Sequence, residues 1–357
     1  MTRIAGVATA LPVHRYPQQA ITAAFADVVL GQDRSSLPVL ERLHAATGVQ
    51  ARHLALPLEA YAELEHFGAS NDAWITAGLD LGERAVRDAL SVAGLAPEDV
   101  DVIICTSVTG IAAPSLDARL VGRLGLRRDV RRVPMFGLGC VAGAAGIARA
   151  HDMLGGDPDG VAVLLSVELC SLTVQRDDAS MANFVASGLF GDGAAAVVMA
   201  GDERRPPAGV GWSGPQVLDS RSNLYPDTSR AMGWDVGASG LKIVLGAEVP
   251  DLVEEHLGED VRGFLADHDL KIDDVTGWVC HPGGPKVIEA IQSVLGLPYE
   301  SVELTWRSLA EVGNLSSASV LDVLHRTMTS RRFEPGSPGV LMAMGPGFSA
   351  ELVLLQW

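Results

Sequence analysis

The chain repeats itself, faintly but in order. Leu95-Ala-Pro-Glu-Asp-Val-Asp-Val-Ile-Ile-Cys-Thr106 resembles Leu270-Lys-Ile-Asp-Asp-Val-Thr-Gly-Trp-Val-Cys-His281, 175 residues later. Each is an acidic turn, an apolar strand, then a cysteine and a polar residue. Gly137-Leu-Gly-Cys140-Val-Ala-Gly-Ala-Ala-Gly146 pairs with Glu311-Val-Gly-Asn314-Leu-Ser-Ser-Ala-Ser319 at an offset of 174. Leu189-Phe-Gly-Asp-Gly-Ala-Ala-Ala-Val-Val198 and Ala343-Met-Gly-Pro-Gly-Phe-Ser-Ala-Glu-Leu352 form a third pair, a glycine turn before a strand. Three pairs in one order imply a duplicated unit. The expected halves are residues 1–200 and 201–357.

Helical stretches alternate with apolar strands throughout, which indicates an α/β layered fold. Val161-Ala-Val-Leu-Leu-Ser166 is apolar on both faces, as in a sheet covered by helices on each side. A chain of 357 residues buries roughly three quarters of its unfolded surface, so it needs no disulfide or metal to hold it together. The four cysteines, 105, 140, 170 and 280, match no zinc-ligand spacing. The N-terminus runs directly into a strand-like Ile4-Ala-Gly-Val-Ala-Thr-Ala-Leu-Pro12 and carries no leader pattern, so a cytoplasmic chain with free thiols is expected.

Charge narrows the partners. Lys and Arg number 27 against 44 Asp and Glu, a net charge of −17. That argues against nucleic acid and against anionic lipid. Apolar runs such as Ala194 to Ala200 are too short to cross a membrane. Six arginines between Arg119 and Arg132 form the one basic concentration. It reads first as a solvated surface, and second as a docking site for a phosphate-bearing carrier protein.

Three residues stand at comparable strand ends and helix starts in the two halves. Cys140 follows a glycine turn and opens a helix, where free N–H groups and the dipole favour a nucleophilic thiolate. Taken alone, it reads more readily as a buried packing cysteine. His281 ends an apolar strand before the rigid Pro-Gly-Gly-Pro285 turn. It is placed to pair with a thiol or to donate to an oxyanion. Asn314 reads equally as a helix N-cap or as an amide donor to the same oxyanion. Asp192, between two glycines, reads as a turn residue bonding its own backbone.

These segments resemble the type III polyketide synthases, the chalcone-synthase-like family. The resemblance spans nearly the whole chain. It rests on Gly139-Cys140-Val-Ala-Gly, Leu189-Phe-Gly-Asp-Gly-Ala-Ala-Ala, His281-Pro-Gly-Gly-Pro285, Gly313-Asn-Leu-Ser-Ser-Ala318 and Met344-Gly-Pro-Gly347. It implies a five-layered αβαβα thiolase-type fold and a homodimer. It also implies that Cys140 accepts an acyl group from acyl-CoA, while His281 and Asn314 stabilise the enolate left when malonyl-CoA loses carbon dioxide. No metal or redox cofactor is implied; CoA thioesters are the substrates.

By the same matching, Phe190 is a gate between CoA tunnel and cavity, and Ile243 replaces a second gate phenylalanine. Val108, Thr109, Cys170, Thr173 and Ser316 fall on cavity positions. Ala113 stands where plant enzymes place a methionine that reaches across the dimer interface, and Trp234 replaces a small residue. Arg42 matches one CoA-binding basic residue, with Val39 and Ala46 at two others. The Gly-Phe-Gly-Pro-Gly loop of the family is Ala343-Met344-Gly-Pro-Gly here. The stretch 215–236 resembles bacterial alkylresorcinol and alkylpyrone synthases. The expected reaction is therefore an aliphatic acyl-CoA starter, two or three malonyl-CoA extensions, and ring closure. The nearest alternative is a ketoacyl synthase III-like priming enzyme acting once, with acyl carrier protein. A thiol hydrolase or a non-catalytic scaffold would not need malonyl-CoA.

Overall fold

The computed structural model describes all 357 residues. In chain order its elements are β1 (Thr2–Ala10), β2 (His14–Pro17), α1 (Gln18–Val29), α2 (Leu37–Ala46), β3 (Ala51–Leu54) and α3 (Phe67–Ala93). Then come β4 (Val102–Thr106), α4 (Leu116–Leu124), β5 (Arg131–Met135), α5 (Ala142–Gly155), β6 (Val161–Leu169), α6 (Met181–Leu189) and β7 (Asp192–Gly201). They are followed by β8 (Gln216–Leu224), β9 (Met232–Gly237), β10 (Gly240–Leu245), α7 (Val249–Ala266), β11 (Gly277–Cys280) and α8 (Pro285–Leu295). The last are α9 (Tyr299–Val312), α10 (Ser317–Ser330), β12 (Pro338–Gly345) and β13 (Ser349–Gln356).

The repeat folds as a repeat. Both acidic turns form one turn of 3-10 helix, closed by an aspartate bonding back to the residue that starts it. Ala96 N donates to Asp99 Oδ2 at 2.8 Å, and Lys271 N donates to Asp274 Oδ2 at 2.8 Å. Strands β4 and β11 follow. Nine strands lie in the order β11-β12-β13-β8-β1-β7-β6-β4-β5. From β1 outward the pairings run antiparallel, antiparallel, parallel to β4; from β8 they run the same way to β11. The two sets meet through only Thr2↔Val217 and Arg3↔Gln216. Strand β5 lacks a second-half counterpart. A single isolated bridge, Phe190↔Asn314, joins the two halves outside the named strands.

Burial separates into layers. Alternate residues of β6 face opposite ways: Val163 and Leu165 pack with Leu81 and Ala85 of α3 and Leu120 of α4, while Ala162 and Leu164 pack with α5 and α10. On the other side, α7 and α8 cover Trp278, Val340, Met342 and Leu352. Helix, sheet, paired central helices, sheet, helix: this is the five-layered αβαβα fold. The small residues after Cys140 have a reason here. A Cβ on Gly143 would lie 2.2 Å from the Ser317 carbonyl oxygen, so α5 and α10 approach backbone to backbone. Outside the layers, α1, α2 and α6 share a small apolar cluster of Phe25, Ala26, Leu40 and Phe184. Hairpin β9–β10 pairs Trp234 with Ile243. No helix is long and apolar enough to cross a membrane.

Candidate active site

Cys140 sits in the 3-10 turn Gly139–Val141 that leads into α5, as its glycines required. Gly139 has φ +58°, and a Cβ there would lie 2.5 Å from Pro346 Cδ. The Gly345-Pro346-Gly347 loop therefore packs directly against this turn, with Met344 buried behind it. The cysteine thiol donates to Ser316 Oγ over 3.6 Å, and the Asn314 side chain lies near enough to favour its ionised form.

His281 follows β11, its N–H donating to the Met342 carbonyl at 2.9 Å. The ring is buried, and Nδ1 has no hydrogen-bond partner. Asn314, in the break between α9 and α10, is buried too. Its Nδ2 donates to the Gly283 carbonyl in the histidine's own loop at 3.3 Å, and its Oδ1 accepts from Ser316 N at 2.8 Å. Asn314 is not itself the N-cap of α10, which is Ser316, but it bonds the cap's backbone. Its oxygen ties down the start of α10, which fixes its amide nitrogen between the histidine loop and the thiol.

The expected thiolate is not the resting form. Burial pushes the Cys140 thiol up to about 12, outweighing the favourable contributions of Ser316, its own backbone N–H and Asn314; the Glu168 charge adds to the rise. Burial also lowers His281 to about 3. Both groups are neutral near pH 7. A desolvated site disfavours each charged form separately.

Beside the thiol lies a residue the sequence reading missed. Glu168, in the apolar strand β6, is fully buried. It accepts from Ser107 Oγ (3.3 Å), Val108 N (3.2 Å), Thr109 Oγ1 (3.0 Å), Ser316 Oγ (3.3 Å) and Ser317 Oγ (2.5 Å). Burial raises it to about 7 against those bonds. A lone acid in a strand apolar on both faces was the available signal.

The assigned cavity residues divide. Phe190, Ile243, Trp234, Cys170 and Thr173 line one chamber of about 940 Å³, part of it open solvent. Val108, Thr109 and Ser316 do not border it; they surround Glu168. Thr109 Oγ1 also accepts from Trp74 Nε1 at 3.1 Å and from Leu169 N at 2.9 Å. Ala113 precedes a cis peptide to Pro114, between Ala112 and Ser115, which border a second pocket of about 570 Å³. Arg42 is exposed on α2 and makes no ion pair.

One reading needs correction. Asp192 does not bond its own turn. It begins the buried strand β7 and accepts from Ala55 N at 2.6 Å, from Ser171 N at 2.8 Å and from Ser171 Oγ. The arginine run is largely neutralised: Arg123 pairs with Asp80 and Glu83, Arg127 with Asp101 and Asp129, Arg131 with Asp157, and Arg132 with Asp117. The first reading of the run, a solvated surface, fits these pairings.

Comparison with known proteins agrees with this geometry. The profile described as "Chalcone and stilbene synthases, N-terminal domain" matches residues 1–203, and its C-terminal partner matches residues 216–357. A 1,3,6,8-tetrahydroxynaphthalene synthase of Streptomyces peucetius subsp. caesius is 58% identical over 360 residues, covering 100% of this chain and 93% of that protein. A phloroglucinol synthase of Pseudomonas fluorescens is 31% identical, covering 97% and 96%. The crystal structure of the 1,3,6,8-tetrahydroxynaphthalene synthase of Streptomyces coelicolor A3(2), a bacterial type III polyketide synthase, superposes with a TM-score of 0.91 at 31% identity, covering 99% of each chain. The single-condensation priming enzyme is not favoured by any of these likenesses. The chain belongs to the chalcone and stilbene synthase family and is a type III polyketide synthase.

Proposed function

We propose that this enzyme joins malonyl units on Cys140 and closes the chain to a polyhydroxynaphthalene. The observation that carries this reading is the 58% identity, over the whole chain, to an enzyme named for 1,3,6,8-tetrahydroxynaphthalene. The naphthalene skeleton has ten carbons, which five two-carbon units supply. This departs from the alkylresorcinol or alkylpyrone product expected from the sequence.

The chemistry uses Cys140, His281 and Asn314. Burial keeps thiol and imidazole neutral at rest, so proton transfer accompanies attack. The Cys140 sulfur bonds to the thioester carbonyl, its proton passes to His281, and the CoA thiolate leaves and takes that proton. A second malonyl-CoA then loses its carboxylate as carbon dioxide. The electron pair of the broken C–C bond becomes an enolate, whose oxygen faces the Asn314 amide and the His281 ring. Fixed donors in a water-poor site stabilise such charge strongly. The enolate carbon attacks the Cys140 thioester; a C–C bond forms, the C–S bond breaks, and the Cys140 thiolate takes up a proton. The lengthened chain, now a CoA thioester, is passed back to Cys140 by the first transfer before the next addition. No metal or redox cofactor is required. By the family matching, the exposed Arg42 on α2 would meet CoA. The exposed Ile111, Phe136 and Leu138 beside edge strand β5 support a homodimer.

A second reading has its own support. Ile21, Phe25, Val28, Leu58, Leu64 and Ile243 make much of the chamber wall apolar, which suits an aliphatic starter and an alkylresorcinol or alkylpyrone. Incubation with isotopically labelled malonyl-CoA alone, and then with added acyl-CoA starters, separates the two by product mass. A fully labelled ten-carbon product, absent with Cys140→Ala, is expected. Products formed only when an acyl-CoA is added would replace the naphthalene reading with the second.

A further inference from the structure

The chamber wall carries two guanidinium groups, Arg52 and Arg176, and no carboxylate side chain. Arg52 is 2% exposed. Its Nε donates to Gln18 Oε1 at 3.1 Å and its Nη1 to the Phe190 carbonyl at 2.6 Å. Its Nη2 is buried with no partner. The nearest acid acting on it is Asp192, whose oxygens are taken by Ala55 and Ser171. Arg176, half-buried, donates one nitrogen to the Tyr61 carbonyl and forms no ion pair. A guanidinium has five donors in a rigid fork, and carboxylate is the group that fork fits best.

Cys140, His281 and Asn314 do not line this chamber, but Phe190 and Cys170 on its wall adjoin them. Arg52 anchors Phe190, which bridges to Asn314, and its Cδ would lie 3.0 Å from a Cβ on Gly313. Cys170, also on the chamber wall, is close enough for the Cys140 and Asp192 charges to raise its thiol, after burial and the charge of Glu168. We propose that Arg52 and Arg176 form a carboxylate-binding subsite that selects dicarboxylic acyl starters, pairing with the carboxylate at the far end of the acyl group. This deepens the malonyl-priming reading and rests on it for the natural starter.

The test compares starters of one shape and different charge. Succinyl-CoA and 4-methylpentanoyl-CoA differ mainly in a carboxylate against an isopropyl end. Each competes as starter with malonyl-CoA as extender, and the product ratio is read by mass. The native enzyme is expected to favour the succinyl-primed product by about tenfold or more, the scale of one charge-assisted pairing. Arg176→Met and Arg52→Gln should each collapse that preference, while Arg176→Lys retains most of it. If Arg52→Gln fails to fold, the half-buried Arg176 carries the comparison. An equal or inverted ratio in the native enzyme, or an unchanged ratio in the variants, overturns the subsite. A strong succinyl preference without any malonyl-only product leaves the subsite standing and removes the naphthalene reading instead.

Discussion

Replacing Glu168 by glutamine should change how stability depends on pH. The carboxyl is fully buried and burial raises it from 4.5 to about 7. That difference corresponds to a penalty on the order of 3 kcal/mol on the ionised form, at roughly 1.4 kcal/mol per unit. Below pH 4.5 the group is protonated in both folded and unfolded chains, and no penalty acts. Between 4.5 and about 7 the folded chain keeps a proton that the unfolded chain has released, so stability falls as pH rises. Above that window the penalty is complete. Glutamine stays neutral throughout, can still accept from Val108 N and Thr109 Oγ1, and can donate to the hydroxyls of Ser316 and Ser317. Urea unfolding of native and Glu168→Gln proteins, at intervals from pH 5 to 8, reads the difference directly. The variant should gain relative stability with rising pH, by on the order of 3 kcal/mol across the window. Parallel profiles would show that the five hydrogen bonds around Glu168 hold it ionised without cost, and the argument from burial would fail.

Two further predictions concern the fold and the chamber. A Cβ at position 143 would lie 2.2 Å from a carbonyl oxygen of α10; Gly143→Ala should therefore lower stability by about 1–3 kcal/mol or more, seen as a fall in Tm. Ile243 lines the chamber opposite Trp234 on its hairpin; Ile243→Phe should lower use of long acyl starters relative to short ones by roughly tenfold or more, measured as product ratios. An unchanged chain-length profile would remove Ile243 from the chamber's control of length.

The architecture was legible because it is written in repeated local signals. The Asp99 and Asp274 turns, the strands after them and the small-residue helices begun near Cys140 and Asn314 each declare themselves within about a dozen residues. The candidate reactive groups stood out for the same reason: glycine turns mark where Cys140, His281 and Asn314 sit, while the roles proposed for them come from the family resemblance. What stayed hidden depends on residues far apart in the chain. Asp192 looked like a self-contained turn until Ala55, 137 residues away, proved to be its partner. The charge of Arg119 to Arg132 looked concentrated because the acids that neutralise most of it, such as Asp80 and Asp157, lie outside the run. Glu168 gathers Thr109 from one loop and Ser316 from the other half, and only the duplicated fold brings them together. The same holds for Thr109: family matching put it on a cavity, but here its hydroxyl is spent on Glu168, Trp74 and Leu169.

The central claim is that one thiol carries the growing chain while carbon dioxide loss drives each addition. Rapid quenching of the enzyme with malonyl-CoA, followed by mass analysis of the peptide containing Cys140, tests it most directly. The account predicts thioester adducts on Cys140 that differ by successive C2H2O units, with carbon dioxide released in step and no adduct in Cys140→Ala. Adducts on another cysteine, or a single acyl group that never lengthens while product accumulates, would contradict it.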